Sequence, residues 1–380
     1  MPDLLIGSDF GSSLTRALYQ CTEKKIQLLT MEPELIKLPY SSVKSYRDGM
    51  IGKPSPEDDA WVKCSKEVEE CIVSGYLARN LRVSNRMDLL KYEQALYKLM
   101  AVIGAVAEKA GLPQKFSVGI SALLPYSEYT KRNQMELRLE KGLKSFYFRD
   151  RCLKPQLQMF DCLPEGGGVA VALMNAKGFD WFARQTLVVL QFGHRDVSCL
   201  VFQRGIMQHG STVELGFNQL VSKVIARTFR QDPNLLAKAI YEIGGDINPD
   251  NKILRSLIRS EEPSNIEAEV EQLVQVIQAV REEQWLLLQS FLDVNVPNEL
   301  SEISVVGGFA HYLKKEISQY LKWANPRWET ELQTEIKKML CLEKSSASAS
   351  EANTLAYRLI DNYGSFTDLV GKQQESSNVA

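Results

Sequence analysis

The chain has only three histidines, His194, His209 and His311, and no Cys-x-x-Cys pair among its seven cysteines. The first scarcity argues against a histidine-rich metal centre, the second against a zinc site or a disulfide scaffold. Odd in number and scattered, the cysteines are expected as reduced, structural thiols. An excess of one charge is also missing: 45 Lys and Arg stand against 47 Asp and Glu, for a net charge of −2. That balance grips neither nucleic acid nor an anionic lipid surface, so no direct nucleic-acid binding is expected. No uninterrupted apolar run reaches the ~20 residues of a membrane span, and no transmembrane segment is expected. The start, Met-Pro-Asp, carries neither a basic n-region nor an apolar h-region, which points to a cytoplasmic location. A length of 380 residues allows two domains or one large α/β body.

What is present begins in the first strand. Asp9-Phe10-Gly11-Ser12-Ser13-Leu14-Thr15-Arg16 lies between the apolar runs Leu4-Leu5-Ile6 and Ala17-Leu18-Tyr19. A carboxylate ending a buried strand, a glycine two residues on, two hydroxyls in the turn and a cation on the returning strand suit a magnesium-bound polyphosphate. Glycine lets backbone approach phosphate oxygens, turn amides and hydroxyls donate to them, and Arg16 supplies charge. Alone, the octapeptide reads as readily as an ordinary hairpin with a polar turn.

Strands and helices are mixed along the rest of the chain. Residues 3–10, 14–20 and 26–31 read as three strands, an antiparallel start that a plain Rossmann unit lacks. From 32 to 62 the chain is polar and broken by Gly49, Gly52, Pro54 and Pro56, with Glu57-Asp58-Asp59 before Trp61; an insertion or mobile loop is expected. Apolar spacing predicts a helix over 86–110, stopped by Gly111 and Pro113. A strand over 116–123 ends in Leu124-Pro125, a charged helical stretch follows through Lys144, and strands are expected near 145–148 and 156–162. The turn Pro164-Glu165-Gly166-Gly167-Gly168 opens a small-residue helix over 169–176.

A second cycle opens with Leu187-Val188-Val189-Leu190, turns at Gln191-Phe192-Gly193-His194-Arg195 and returns over 197–202, with a third strand after Gly205. Two hairpin-bearing halves suggest an internal duplication, although the hairpins share almost no identical residues. Helices are then expected over 216–229 and 266–291, followed by a buried strand, Ile303-Ser304-Val305-Val306, running into Gly307-Gly308-Phe309 and a helix through Leu321. The low-complexity stretch 343–351 reads as a loop, and the residues from Lys372 as a disordered tail.

Together these pieces resemble the actin-like ATPase superfamily, and within it the bacterial ParM type of plasmid-segregation filament protein. Asp9-Phe10-Gly11 through Arg16 resembles the first phosphate motif, which more often ends in lysine. Ala122-Leu123-Leu124-Pro125 is similar to the short Gly-Leu-Pro element of ParM-like chains, and Pro164-Glu165-Gly166 to the first connecting segment, whose acidic or amide residue positions the attacking water. Gly193-His194-Arg195 stands where the second phosphate hairpin is expected, and Val306-Gly307-Gly308-Phe309 where the adenosine motif is expected. Ala352-Asn353-Thr354-Leu355-Ala356-Tyr357 is similar to the Ala-Asn-x-x-Gly-Tyr helix that closes the first domain, with Ala356 in place of glycine.

The resemblance implies an α/β, actin-like (ribonuclease-H-like) fold of two related domains flanking a nucleotide cleft. Domain I is expected over 1–165, with an insertion at about 32–92, completed by 345–371; domain II over 166–344; a disordered tail over 372–380. ATP is the implied nucleotide, GTP the lesser candidate, with Mg2+. Asp9 would hold the metal through water, and Gly11, Ser12, Ser13 and Arg16 the terminal phosphates. Gln191, Gly193 and His194 would form the second clasp, with Gly307, Gly308 and Phe309 at the adenosine. The second hairpin normally opens with aspartate; Gln191 can orient water through its carbonyl but is a poor proton acceptor, so Glu165 would carry most of the base character. Asp196 is expected on the opposite strand face from Gln191, as polar hairpin surface. The resemblance also implies self-assembly into filaments, slow hydrolysis, and an adaptor protein linking the polymer to DNA or membrane. Two alternatives stay open: a small-metabolite kinase of the same nucleotide fold, and a scaffold filament that binds nucleotide with little hydrolysis.

Overall fold

Consecutive apolar residues such as Leu4-Leu5-Ile6 mark a strand covered on both faces. In the computed structural model of the protein they begin the central strand β1 (Leu4–Phe10), buried except for the half-buried Asp9. The structure describes residues 2–22, 24–81, 90–228, 231–345 and 348–378. β1 pairs antiparallel with β2 (Thr15–Cys21), and β2 with β3 (Gln27–Met31), the expected meander.

The stretch 32–62, expected as an insertion or mobile loop, is largely built. It contains β4 (Leu35–Pro39), α1 (Tyr40–Asp48) and the start of β5 (Ala60–Lys63); β6 (Glu70–Ser74) pairs with both strands, and α2 (Tyr76–Asn80) follows. Fully buried Trp61 packs with Val43, Cys71, Val73 and Leu77 in a small core of its own. Asp59, also buried, sits between Arg47 at 3.1 Å and Arg149 at 2.7 Å. Most of the fully buried partners of Trp61 lie outside the window, so local composition hid the core. Glycine and proline do punctuate 49–56, which holds no regular element.

Helix α3 (Lys91–Ala110) ends at Gly111 in the left-handed conformation, φ 69°, the expected glycine stop. The predicted start near 86 lies outside the described residues. Strand β7 (Lys115–Leu124) runs parallel beside β1. After α4 (Tyr126–Tyr129), α5 (Arg132–Leu143) and β8 (Phe146–Phe148), the long β9 (Arg151–Pro164) pairs first with β8 and then, from Lys154, parallel with β7. Among the described residues this makes a nine-stranded sheet, β3-β2-β1-β7-β9-β8-β5-β6-β4. Helices α6 (Gly167–Lys177) and α7 (Phe179–Arg184) follow.

A second sheet is built from β10 (Thr186–Phe192), β11 (Val197–Gln203) and β12 (Ile206–Val213), then, after α8 (Phe217–Arg227), α9 (Pro233–Ile243), α10 (Lys252–Arg255) and α11 (Pro263–Asn295), from β13 (Glu302–Val306). Its order, β12-β11-β10-β13, repeats β3-β2-β1-β7 with the same strand senses, so the duplication inferred from the hairpins is built into the topology. A single parallel bridge, Ser304 to Arg327, stands beside β13 where β9 stands beside β7. Helices α12 (Gly308–Tyr312) and α13 (Lys314–Tyr320) continue from β13.

The chain then returns to the first sheet. After α14 (Thr330–Leu340), the stretch 343–351 expected as a loop is largely helical: 343–345 belong to α15 (Leu342–Ser345) and 349–351 open α16 (Ala349–Asn378), while 346–347 lie outside the described residues; small polar residues of low complexity carry no helical stripe from which the helix ends could be read. Helix α16 covers β1, β7 and α6. The tail expected to be disordered from Lys372 is helical through Asn378: Lys372 pairs with Asp161 at 2.6 Å and Asp368 at 2.7 Å, and Gln373 is buried, while 379 and 380 lie outside the described residues. Two compact units result, Met1–Phe179 with Thr330–Ala380, and Asp180–Glu329, each with its own apolar core. The sequence reading places the breaks at 165/166 and 344/345; here α6 and α14 go with the first unit.

Candidate functional site

In the first unit the candidate groups gather at the ends of three neighbouring strands. β1 is buried because it is central, and its register aligns Asp9 with Arg16 across the hairpin and with Leu123 of β7 on the other side. Arg16 donates from Nη1 to Asp9 Oδ2 at 3.2 Å and to the Leu14 carbonyl at 3.4 Å. The loop Gly11–Leu14 is tight: a Cβ on Gly11 would lie 2.6 Å from the Leu14 oxygen. That position therefore excludes a side chain and leaves backbone facing outward.

Leu124 of β7 lies beside Pro164 of β9, so Glu165 emerges next to the Leu124-Pro125 strand end, its N–H bonded to the Leu124 carbonyl at 2.7 Å. Glu165 is only 5% exposed, and Lys91 Nζ, itself buried at the start of α3, donates to its Oε1. Glu128 fixes this end of α3 by accepting from the Tyr92 N–H at 3.0 Å. Behind Glu165, the buried Asp361 of α16 accepts from the N–H groups of Gly166 at 2.8 Å and Val169 at 3.3 Å. Burial, with Glu165 and Asp9 nearby, pushes the Asp361 carboxyl up to about 7 against the pull of those two N–H donors.

The second unit repeats the hairpin. β1–β2 and β10–β11 each pair seven residues around a four-residue loop, and the last outgoing residues are Asp9-Phe10 in one and Gln191-Phe192 in the other, each followed by glycine. A Cβ on Gly193 would lie 2.9 Å from the Asp196 oxygen, the counterpart of the Gly11 restriction. Gln191 Oε1 is buried with no hydrogen-bond partner among the described residues. The loop is sealed from behind, since the Gly193, His194 and Arg195 carbonyls accept from Phe217, Asn218 and Gly216, and the His194 ring lies 6.0 Å from that of Phe217. Asp196 is not hairpin surface: it is 3% exposed and bonded by Arg195 Nε at 2.8 Å.

Gly307, φ 99°, passes so close to the backbone of Phe192 that a Cβ there would overlap it. Gly308 opens α12 directly after it. Phe309 is buried at 2% exposure among Phe192, Phe217 and Tyr312, so its ring supports the Gly307-Gly308 turn from the core instead of offering a face outward.

The structure thus groups Asp9, Gly11, Ser12, Ser13, Arg16 and Glu165 in one unit, and Gln191, Gly193, His194, Gly307 and Gly308 in the other. Sequence reasoning missed Lys91 and Asp361. For Lys91 a signal existed: Lys91, Gln94 and Lys98 recur at helical spacing on a face that proves buried. For Asp361 it was weaker. The helix contact that requires glycine lies not at Ala356 but at Gly364, where a Cβ would overlap the Gly168 carbonyl; Asp361-x-x-Gly364 keeps the polar-x-x-Gly spacing of the motif placed at 352–357. Among the described residues no group of three or more His, Cys, Asp or Glu side chains is placed to hold a metal ion, and no helix is long and apolar enough to cross a membrane.

No protein-family profile and no curated protein matches the chain. Solved structures do. The actin-like protein Alp7A superposes with a TM-score of 0.63 at 14% identity, covering 99% of each chain. Bacillus thuringiensis ParM with ATP gives 0.58 at 10% identity over 98% of this chain and 100% of that one, and Ta0583, an archaeal actin homolog, gives 0.57 at 13% over 93% and 98%. The duplicated hairpin units and these near full-length superpositions lead to one conclusion: the chain has the actin-like fold.

Proposed function

We propose that the protein binds ATP with Mg2+, assembles into filaments of its own copies and hydrolyses the nucleotide slowly, reaching DNA or membrane through an adaptor protein. The observation that carries this reading is the repeated hairpin, with equal register and loop length and an oxygen-bearing side chain, Asp9 or Gln191, at the same place in each. Gly11 presents its backbone N–H to phosphate, Ser12 and Ser13 add hydroxyls, and Arg16 adds charge; in the second hairpin the Gly193 N–H closes the loop onto the Asp196 carbonyl at 2.8 Å, and the phosphate meets the turn at Gly193 and His194. The Asp9 carboxylate and the unpartnered Gln191 carbonyl are hard oxygen donors of the kind that hold hydrated Mg2+. Bound ATP supplies the phosphoryl group. Glu165 accepts a hydrogen bond from the attacking water, Lys91 holds that carboxylate in place, and the Gly307-Gly308 turn, packed against the Phe192 backbone, offers bare backbone to the adenosine. The B. thuringiensis ParM structures with ATP, ADP and AMPPNP support the nucleotide class, with GTP as the second candidate.

Nucleotide binding measured with Mg2+ tests the site. Asp9→Ala is expected to weaken ATP binding roughly tenfold or more, since losing a charged partner costs about 1.5–3 kcal/mol. Unchanged affinity would remove Asp9 from the site. Gln191, an amide where a second carboxylate is usual, favours one other reading, a filament that binds nucleotide and barely turns it over; phosphate release from assembled protein decides between the two.

A further inference from the structure

The turn that carries Glu165 is held by a residue nearly two hundred positions away. Helix α6 begins after Gly166, which has no side chain, and no residue at its start supplies a cap. The first N–H groups of any helix lack intrahelical acceptors and are normally served by a side chain just ahead of them. Here Asp361 of α16 takes that place, one oxygen on the N–H of Gly166, the cap position itself, and the other on Val169, the third helical residue, which an ordinary cap side chain would serve. The helices cross with nothing between them: a Cβ on Gly168 would overlap the Asp361 carbonyl, and one on Gly364 would overlap the Gly168 carbonyl. Asp361 therefore has little freedom to shift, and neither does the backbone of Glu165.

We propose that Asp361 is a positioning residue, capping α6 across the helix crossing and so fixing where Glu165 points its carboxylate. The inference rests on the role given to Glu165 above. The titratable groups that bear on Asp361 are Glu165, ahead of α6, and Asp9, on β1, both acidic. A negative charge is thus disfavoured there, and the feature the helix needs is acceptor oxygen, of which an amide provides one of the two.

Two readouts separate this from a purely structural role: amide hydrogen exchange at Gly166 and Val169, and the rate of phosphate release at saturating ATP. Asp361→Ala is expected to speed exchange at both amides and slow phosphate release roughly tenfold to a hundredfold through misplacement of Glu165, with ATP affinity within about threefold of wild type. Asp361→Asn, with one acceptor oxygen, is expected to restore protection at one of the two amides and to bring phosphate release part of the way back toward wild type. Asp361→Glu, which displaces the acceptors by one methylene, provides the same comparison if the alanine variant does not fold. Unchanged exchange and release in Asp361→Ala, or an asparagine variant as defective as alanine, overturns the proposal. If the wild type releases no phosphate, hydrolysis and the water-positioning role fall together, while the exchange data still decide whether Asp361 is the cap.

Discussion

Asp361 is a buried acid that folding makes harder to ionise, and that has a consequence for stability against pH. Its carboxyl rises from 3.8 to about 7 on folding. Between those values the folded chain holds a proton that the unfolded chain releases, so the contribution of Asp361 is fully present below pH 3.8 and is lost as pH rises toward 7. The size is roughly 4 kcal/mol across that window. Asp361→Asn removes the dependence. Urea denaturation at pH 5 and pH 8 is expected to show the asparagine variant gaining on wild type as pH rises; a difference constant with pH would place the Asp361 ionisation elsewhere. Lys91 balances Glu165 by another route, as a buried cation against a buried carboxylate. Asp9 and Glu165 were legible in the sequence because each follows an apolar strand and precedes a glycine turn. Lys91 and Asp361 were not, because each acts on a partner 74 or 195 residues distant and no local pattern records such a contact.

At the level of elements, α6 and α16 touch backbone to backbone at Gly168 and Gly364. Gly364→Ala forces a methyl group against the Gly168 carbonyl. Overpacking of this kind costs about 1–3 kcal/mol, and the unfolding midpoint in urea should fall accordingly. A midpoint equal to wild type would mean that the helices part freely. The two hairpins show how far periodicity carries a reading. β1, β2, β10, β11 and β13 were placed within a residue or two, since buried strands are continuous apolar runs bounded by glycine turns. What escaped was the common Phe-Gly at the same point of both hairpins, visible only once the registers are aligned. The layer around Trp61 escaped for a different reason. Its strands have mixed exposure, and their core is completed by Cys71, Val73 and Leu77, beyond the stretch that was read as loop.

For the whole molecule, the division into two units with separate cores follows from the duplicated topology, and α16 explains why the first unit needs both ends of the chain. Assembly belongs to this scale. With ATP and Mg2+ the protein is expected to form polymer that sediments above a critical concentration; the absence of pelletable material over a wide concentration range would end the filament reading. Likeness to the solved structures runs nearly the full length of the chain at 14% identity or less, so one backbone path tolerates replacement of most side chains. Gly168 and Gly364 are a place where that replacement meets a limit. Side chains can be exchanged for one another, but where two backbones touch there is no volume to exchange. Nearly everything around this crossing can be rewritten without loss of the fold, but both positions have to stay small, so the pair pins the place where the two ends of the first unit meet.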